Sequence, residues 1–309
     1  MRDKLPLNPA GSEPDEPAEH PREESVTGGP EADDGRSPQR PRSGRNLAAA
    51  ISVGVLLGVL LVGSLFIVKA AFVGFVVLAV GIAVVELSLA LRPAGVRLPV
   101  VALLAGVVAM LVGAYVWQTA ALLGALGLTA LAVCFGRLLG GREGYVRDVT
   151  AGVFVALYVP FLAGFALLLL RPDDGPFRVL LFVAVAVASD VGGYVAGVLF
   201  GRHKLAPTIS PGKTWEGLAG SALLCLAVGV AGVMILLDGT WWTGLVLGVV
   251  ATATATLGDL VESMLKRDVG IKDMGTLLPG HGGVMDRLDS LLPTALVSWL
   301  VLTLLVPPG

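Results

Sequence analysis

Residues 241–307 read WWTGLVLGVVATATATLGDLVESMLKRDVGIKDMGTLLPGHGGVMDRLDSLLPTALVSWLVLTLLVP, and this stretch decides the architecture. It begins and ends in apolar runs long enough to cross a hydrocarbon core of about 30 Å as helices of about 20 residues. Between them, from Gly258 to Ser290, Asp259, Glu262, Asp268, Asp273, Asp286 and Asp289 alternate with Lys266, Arg267, Lys272 and Arg287. Glycines and Pro279 interrupt any continuous helix there. An oily chain that gathers carboxylates, cations and glycine-rich turns at one place can hold a metal and phosphates together.

The rest of the chain repeats the apolar part of this pattern. Of 309 residues 55% are hydrophobic and only 15% charged. With a mean hydropathy of +0.81, that composition excludes an ordinary soluble domain and implies a polytopic membrane protein. The formal net charge of -2 gives no footing for nucleic acid. Cys134 and Cys225 lie in apolar runs and read as small core residues, with no disulfide or metal cluster inferred.

From Leu47 onward about nine spans are expected, near 47–68, 71–91, 98–116, 118–136, 149–170, 178–200, 217–237, 241–258 and 290–307. The expected fold is an all-α polytopic membrane helix bundle over residues 47–309. Residues 1–46 are rich in Pro, Glu, Asp, Arg and Ser, bury too little apolar surface to offset ordering entropy, and are expected to form a disordered cytoplasmic tail. The long acidic stretch ahead of the first apolar run is unlike a secretory signal.

Loop charge tests the orientation. With a cytoplasmic N-terminus, Arg92, Arg97, Arg137, Arg142, Arg147, Arg202, Lys204, Lys213, Lys266, Arg267, Lys272 and Arg287 fall inside, and only Lys69, Arg171 and Arg178 outside. Twelve against three supports that orientation and the number of spans, since one missed helix would move every later loop across the bilayer. It puts the Gly258–Ser290 stretch on the cytoplasmic side.

Three constellations carry chemistry. Asp259, Glu262, Ser263, Lys266 and Arg267 stand at i, i+3, i+4, i+7 and i+8, one face of a helix. A solvated interfacial face with i to i+4 ion pairs would look the same. Asp259 directly follows an apolar span, however, where a carboxylate is costly unless it faces a partner or a cavity. In PGHGGVMDRLDS, Gly280, Gly282 and Gly283 permit close backbone approach, and Asp286 and Asp289 share a helical face and offer the oxygen ligands that Mg²⁺ prefers. His281, between glycines, reads as a hydrogen-bonding residue rather than a metal ligand. Within ASDVGGYVAGVLFGRHKLAPTISPGKTWEG, Asp190 is an intramembrane carboxylate, functional by default or neutralised by a neighbouring helix. Gly192, Gly193, Gly197 and Gly201 are better explained by tight helix packing. Ser210 to Thr214 imitates the end of a phosphate-binding loop but has Pro207 where that motif needs glycine. Ser210, Lys213 and Thr214 still stand just before a helix whose amides would favour an anion. Glu86, inside the second span, is a weaker signal, expected to face the bundle or a cavity.

Together these residues resemble the phosphatidate cytidylyltransferase (CDP-diglyceride synthase) family. Its signature runs Ser, Lys-Arg, Lys-Asp, Pro-x-His-Gly-Gly and Asp-Arg-x-Asp. Here it stands, with every spacing intact, as Ser263, Lys266-Arg267, Lys272-Asp273, Pro279, His281-Gly282-Gly283 and Asp286-Arg287-x-Asp289. Asp190 and the Ser210–Gly217 run resemble a second motif, departing from it at Gly212, where a second lysine is common. The resemblance covers the chain from about Leu47.

What it implies is transfer of the cytidylyl group of CTP to phosphatidic acid, giving CDP-diacylglycerol and pyrophosphate for phospholipid biosynthesis. It implies Mg²⁺, with room for a second cation, and a homodimer in the cell (inner) membrane. Asp259, Asp286 and Asp190 are the expected metal ligands. Asp259, Lys266, Arg267, Lys272, Asp273, Asp286 and Asp289 are the expected catalytic set, and Ser210, Lys213, Thr214, His281, Gly282, Gly283 and Arg287 are expected to bind substrate. Two rivals are weighed: a cytidylyltransferase or kinase acting on another lipid phosphate or polyprenol, and a transporter using Asp190, Glu86 and Asp259 as an ion path. The second would favour internal repeats and midplane charges. No clear repeat is found, and most charges sit at the cytoplasmic ends of spans.

Overall fold

The computed structural model describes residues 47–139, 141–271, 273–275 and 282–307, with side chains at Leu56 and from Gly58 onward. The expected tail, residues 1–46, and the site candidates Lys272 and His281 lie outside the described residues. The fold is an α-helical membrane bundle. Its helices are α1 (Leu47–Ile67), α2 (Lys69–Leu91), α3 (Val100–Leu138), α4 (Tyr145–Ala156), α5 (Leu162–Leu170), α6 (Gly175–Phe200), α7 (Trp215–Leu236), α8 (Trp241–Val269), α9 (Met285–Leu288) and α10 (Leu291–Leu305). A π-turn, Leu157–Phe161, joins α4 to α5. Two strands, β1 (Lys204–Ala206) and β2 (Ser210–Thr214), form an antiparallel hairpin between α6 and α7.

Among the described residues, seven helices are long and apolar enough to cross a membrane. The expectation of nine differs at two places. The first helix contributes only Gly58–Ile67 as a described apolar segment. The second place is α3, whose 39 residues contain two of the expected spans. At Gln118 the backbone leaves the helical region (φ 69, ψ -160), a conformation rare for a residue with a side chain. The chain then doubles back. A Cβ on Gly113 would lie 3.3 Å from the Cβ of Ala121, one on Gly106 would overlap Thr129, and Gly136 faces Pro99. That pairing makes α3 an antiparallel helical hairpin turning at the Trp117 break.

The core centres on α5, whose Ala163–Leu170 run is buried throughout and packs against α2, α3, α6 and α10. Helices α6 and α7 make the closest pair. A Cβ on Gly192 would lie 2.5 Å from the Gly220 carbonyl, and one on Gly220 would lie 2.3 Å from Ala196. Gly192 belongs to the small face expected from the sequence, Gly220 is its unanticipated partner on α7, and together they let two backbones approach closely.

Charge is sorted between the two ends of the bundle. At one end Lys69 donates to the Pro172 carbonyl at 2.7 Å. Arg178, buried, ion-pairs with Asp174 and caps α10 through the carbonyls of Leu302 and Val306. At the other end stand the β-hairpin, the end of α8 and the turns after α2 and α3. The three basic residues assigned outside thus share one end.

Candidate active site

Helix α8 presents Thr256, Asp259, Glu262, Ser263 and Lys266 to a cavity of about 400 Å³. The helix ends by a glycine cap: Gly270 adopts φ +76, and its N–H and that of Ile271 reach back to the carbonyls of Arg267 and Lys266. This closure needs the left-handed conformation, which glycine takes at no steric cost. Arg267, expected on the same face, instead donates to the Ile209 carbonyl at 3.3 Å and pins the β-hairpin.

Five elements complete the cavity, Leu205 of β1 among their lining residues. From α6 come Ser189, Asp190, Gly193 and Tyr194, and from β2 come Gly212, Lys213 and Thr214. Helix α7 adds Gly217, Leu218 and Ser221, and the segment from α9 to the start of α10 adds Asp286, Arg287 and Asp289. Thr214 caps α7 by accepting from the Gly217 N–H at 3.0 Å. Lys213, one residue earlier, ion-pairs with Asp259 of α8. Strand β2 therefore delivers a cation to a carboxylate 46 positions away.

Two contacts set the height of Asp259. The π-turn at Pro160 aims Tyr158, whose hydroxyl donates to the Gly258 carbonyl at 3.3 Å. On its other side Gly258 is so close to the Asp289 turn that a Cβ would stand 2.1 Å from the Asp289 carbonyl oxygen. A side chain there would push α8 and α10 apart.

Lys266 lies between two carboxylates, 2.6 Å from Glu262 and 2.9 Å from Asp286. Asp286 also accepts from the N–H groups of Gly283 (2.8 Å) and Met274 (3.1 Å). As placed, it ties the glycine-rich segment to α8. Gly282 turns at φ +82 with Asp286 against it, and Asp273 lies on the same side. Asp190 accepts from the Ser290 hydroxyl at 3.4 Å.

The carboxylates are the natural place to test for a cation. Glu262 and Asp289 are within hydrogen-bonding contact of each other. Oε1 of Glu262 is buried without a hydrogen-bond donor. Two carboxylates so close require a proton or a positive charge between them. Their oxygens, with those of Asp190 and Asp259, are the donors a hard divalent ion takes. Among the described residues, though, no three His, Cys, Asp or Glu side chains stand at ligating distances together. The donor chemistry fits such an ion, but Lys213 and Lys266 neutralise part of the cluster.

Of the site residues expected from sequence, the cavity gathers Asp190, Lys213, Thr214, Asp259, Lys266, Asp286, Arg287 and Asp289. Ser210, Arg267, Asp273, Gly282 and Gly283 are described but do not line it. Tyr194, Thr256 and Ser221 were missed. Tyr194 is four residues after Asp190 and Thr256 three before Asp259, so helical spacing from either aspartate would have found them.

Helix α2 contributes a residue that looked weak in the sequence. Glu86, 7% exposed, accepts from the Met285 N–H at 2.9 Å and lies against Gly275 and Gly283, where a Cβ would come within 2.4 and 2.7 Å of its oxygens. It fixes Gly275, Gly283 and Met285 to α2. Glu86→Ala is expected to lower stability by about 1.5–3 kcal/mol, the worth of a hydrogen bond to a charged group. Glu86→Gln, which keeps an acceptor oxygen, should lose less than half of that. Thermal unfolding in detergent measures both.

Comparison with known proteins settles the ancestry of this arrangement. The model of the cytidylyltransferase family matches residues 48–305, a span that holds every residue of the cavity. This chain belongs to the cytidylyltransferase family. A cytidylyltransferase of Mycobacterium leprae, named phosphatidate cytidylyltransferase, is 44% identical over 301 residues, 92% of this chain and 96% of its own. The Mycobacterium tuberculosis protein of the same name is 43% identical over 282 residues, 85% of this chain and 84% of its own. The protein of that name from Haemophilus influenzae is 41% identical over 145 residues, 43% of this chain and 50% of its own.

Proposed function

We propose that this cytidylyltransferase transfers the cytidylyl group of CTP to phosphatidic acid, releasing pyrophosphate and leaving CDP-diacylglycerol in the membrane. The observation that carries the reading is the single cavity in which Lys213, Lys266 and Arg287 stand among Asp190, Asp259, Asp286 and Asp289 at one end of a membrane bundle. Cations and carboxylates interleaved in one site suit a triphosphate better than they suit an ion path.

The lipid phosphate is already anionic, so its oxygen attacks the α-phosphorus of CTP without a general base. The bond from that phosphorus to the bridging oxygen breaks, and pyrophosphate carries away the electron pair. The protein's work is positioning and charge neutralisation. Lys213, Lys266 and Arg287 hold phosphates. Asp259 and Asp286 set the lysines, and the Thr214 cap fixes the start of α7 beside them. Mg²⁺, held by Asp259 with Asp190, Asp286 and Asp289 in reach, would neutralise charge on the triphosphate and on departing pyrophosphate; a second cation is compatible with that many carboxylates. The proposal includes a homodimer, a cell-membrane location, and an N-terminus and cavity facing the cytoplasm, where CTP is available.

The test is pyrophosphate release from CTP by the purified full-length chain. Release is expected to require both Mg²⁺ and added phosphatidic acid. Preference for a polyprenyl phosphate over phosphatidic acid would overturn the substrate assignment.

A further inference from the structure

A second concavity opens at the end of α2. It has a volume of about 740 Å³ and shares no lining residue with the cavity above. Arg92, Arg97 and Arg147 line it, with Glu143 and Ser88. Asp148, fully buried, does not line it but bonds to two of the arginines that do. That carboxylate ion-pairs with Arg137 at 2.7 Å and Arg147 at 3.2 Å, and it accepts from the Arg97 N–H at 3.1 Å. Arg147 in turn donates to the Gly95 carbonyl. Asp148 therefore ties the turn after α2 and the end of α3 to the first turn of α4 and fixes the Arg147 side chain.

The charges do not cancel. Among the described lining residues Arg92, Arg97 and Arg147 stand against one carboxylate, Glu143, and Asp148, which pairs with Arg147, is shared with the buried Arg137. Among the described residues, the Arg92 and Arg97 side chains have no hydrogen bond or ion pair. Two guanidinium forks left open over a preformed pocket match a phosphate, which they can grip bidentately. The surroundings decide between a free phosphate and a lipid. The pocket lies where spans end, and Val101, Leu138, Leu139 and Val146 of the same helices and turn are 84%, 60%, 93% and 75% exposed. Aliphatic side chains beside a cationic pocket at a bilayer boundary suit acyl chains below a phosphate.

We propose that this pocket binds the phosphate of an anionic phospholipid at a site separate from the nucleotide cavity. The proposal does not depend on the reaction assigned to that cavity. Its test uses phosphatidylglycerol, whose phosphodiester lacks the terminal phosphate that attacks CTP.

The full-length protein in neutral detergent is titrated with dioleoyl phosphatidylglycerol or dioleoyl phosphatidylcholine, and retained lipid is read by native mass spectrometry. The unaltered chain is expected to prefer phosphatidylglycerol. Replacing Arg92→Gln and Arg97→Gln together should cut that preference by about tenfold or more, given the contribution of each basic residue near an anionic lipid. Arg92→Lys with Arg97→Lys should keep most of it, which ties the loss to charge rather than misfolding. Millimolar inorganic phosphate should not displace the lipid. The assignment is overturned by an unchanged preference in the Gln pair, by equal loss in the Lys pair, or by displacement with inorganic phosphate.

Discussion

Asp259→Asn is expected to lower CTP-dependent product formation by about 10²–10³-fold, the cost of removing one preorganised electrostatic group from a reacting site, while the protein still inserts in the membrane and folds. Asparagine fills the same volume, and the contacts that set the height of this residue come from its neighbour Gly258, through the Tyr158 hydroxyl and the Asp289 turn. What changes is charge. Lys213 loses its ion-pair partner, and the cavity loses one of the two carboxylates that α8 contributes. Lys213 is 27% exposed, so water can solvate it and the backbone need not rearrange. If Asp259 acts only by holding Lys213, then Lys213→Met should cost as much, and the double variant no more than either single one. If Asp259 also meets substrate charge or a cation, the double variant should be worse than both. Initial rates at saturating CTP separate these cases, and full activity in Asp259→Asn removes the residue from the site.

The fold was legible where physics acts locally. Span length and hydropathy marked out the helices, and the Trp117 break marked the turn that α3 makes at Gln118. The helical face of Asp259, Glu262, Ser263 and Lys266 could be read from spacing, and all four reach the cavity. Long-range pairing was not legible. Nothing near Glu86 in the sequence announces Met285, 199 positions on, and an intramembrane carboxylate says only that some partner exists. Strand β2 was hidden for another reason. Ser210–Thr214 contains Pro211 and Gly212, residues that weaken a strand reading, and it is paired only with the three residues of β1. The segment resembled a phosphate loop because it precedes a helix. Its register against β1 is what aims Lys213 at Asp259.

Lys266→Met should have the second large effect, and it should reach stability as well as turnover. The lysine is 18% exposed, and its two partners are more deeply buried, Glu262 at 2% and Asp286 at 7%. Removing the cation strands two carboxylates in a low-dielectric setting, at a cost of about 3–5 kcal/mol by analogy with other broken buried pairs. Glu262 already has one buried oxygen without a donor, so losing Lys266 leaves its charge with still less compensation. The loss should spread along the chain. Asp286 gathers the N–H groups of Met274 and Gly283, and a carboxylate displaced from Lys266 would release the glycine-rich segment. Thermal unfolding and CTP turnover should therefore fall together. A lysine that served only as a phosphate contact would lower turnover and leave unfolding unchanged, and that outcome would sink the bridging role. Glu262→Gln introduced into the Lys266→Met background supplies the sharper check. It removes one of the stranded charges, so it should restore part of the lost stability without restoring turnover, a non-additive pattern that two independent sites would not give.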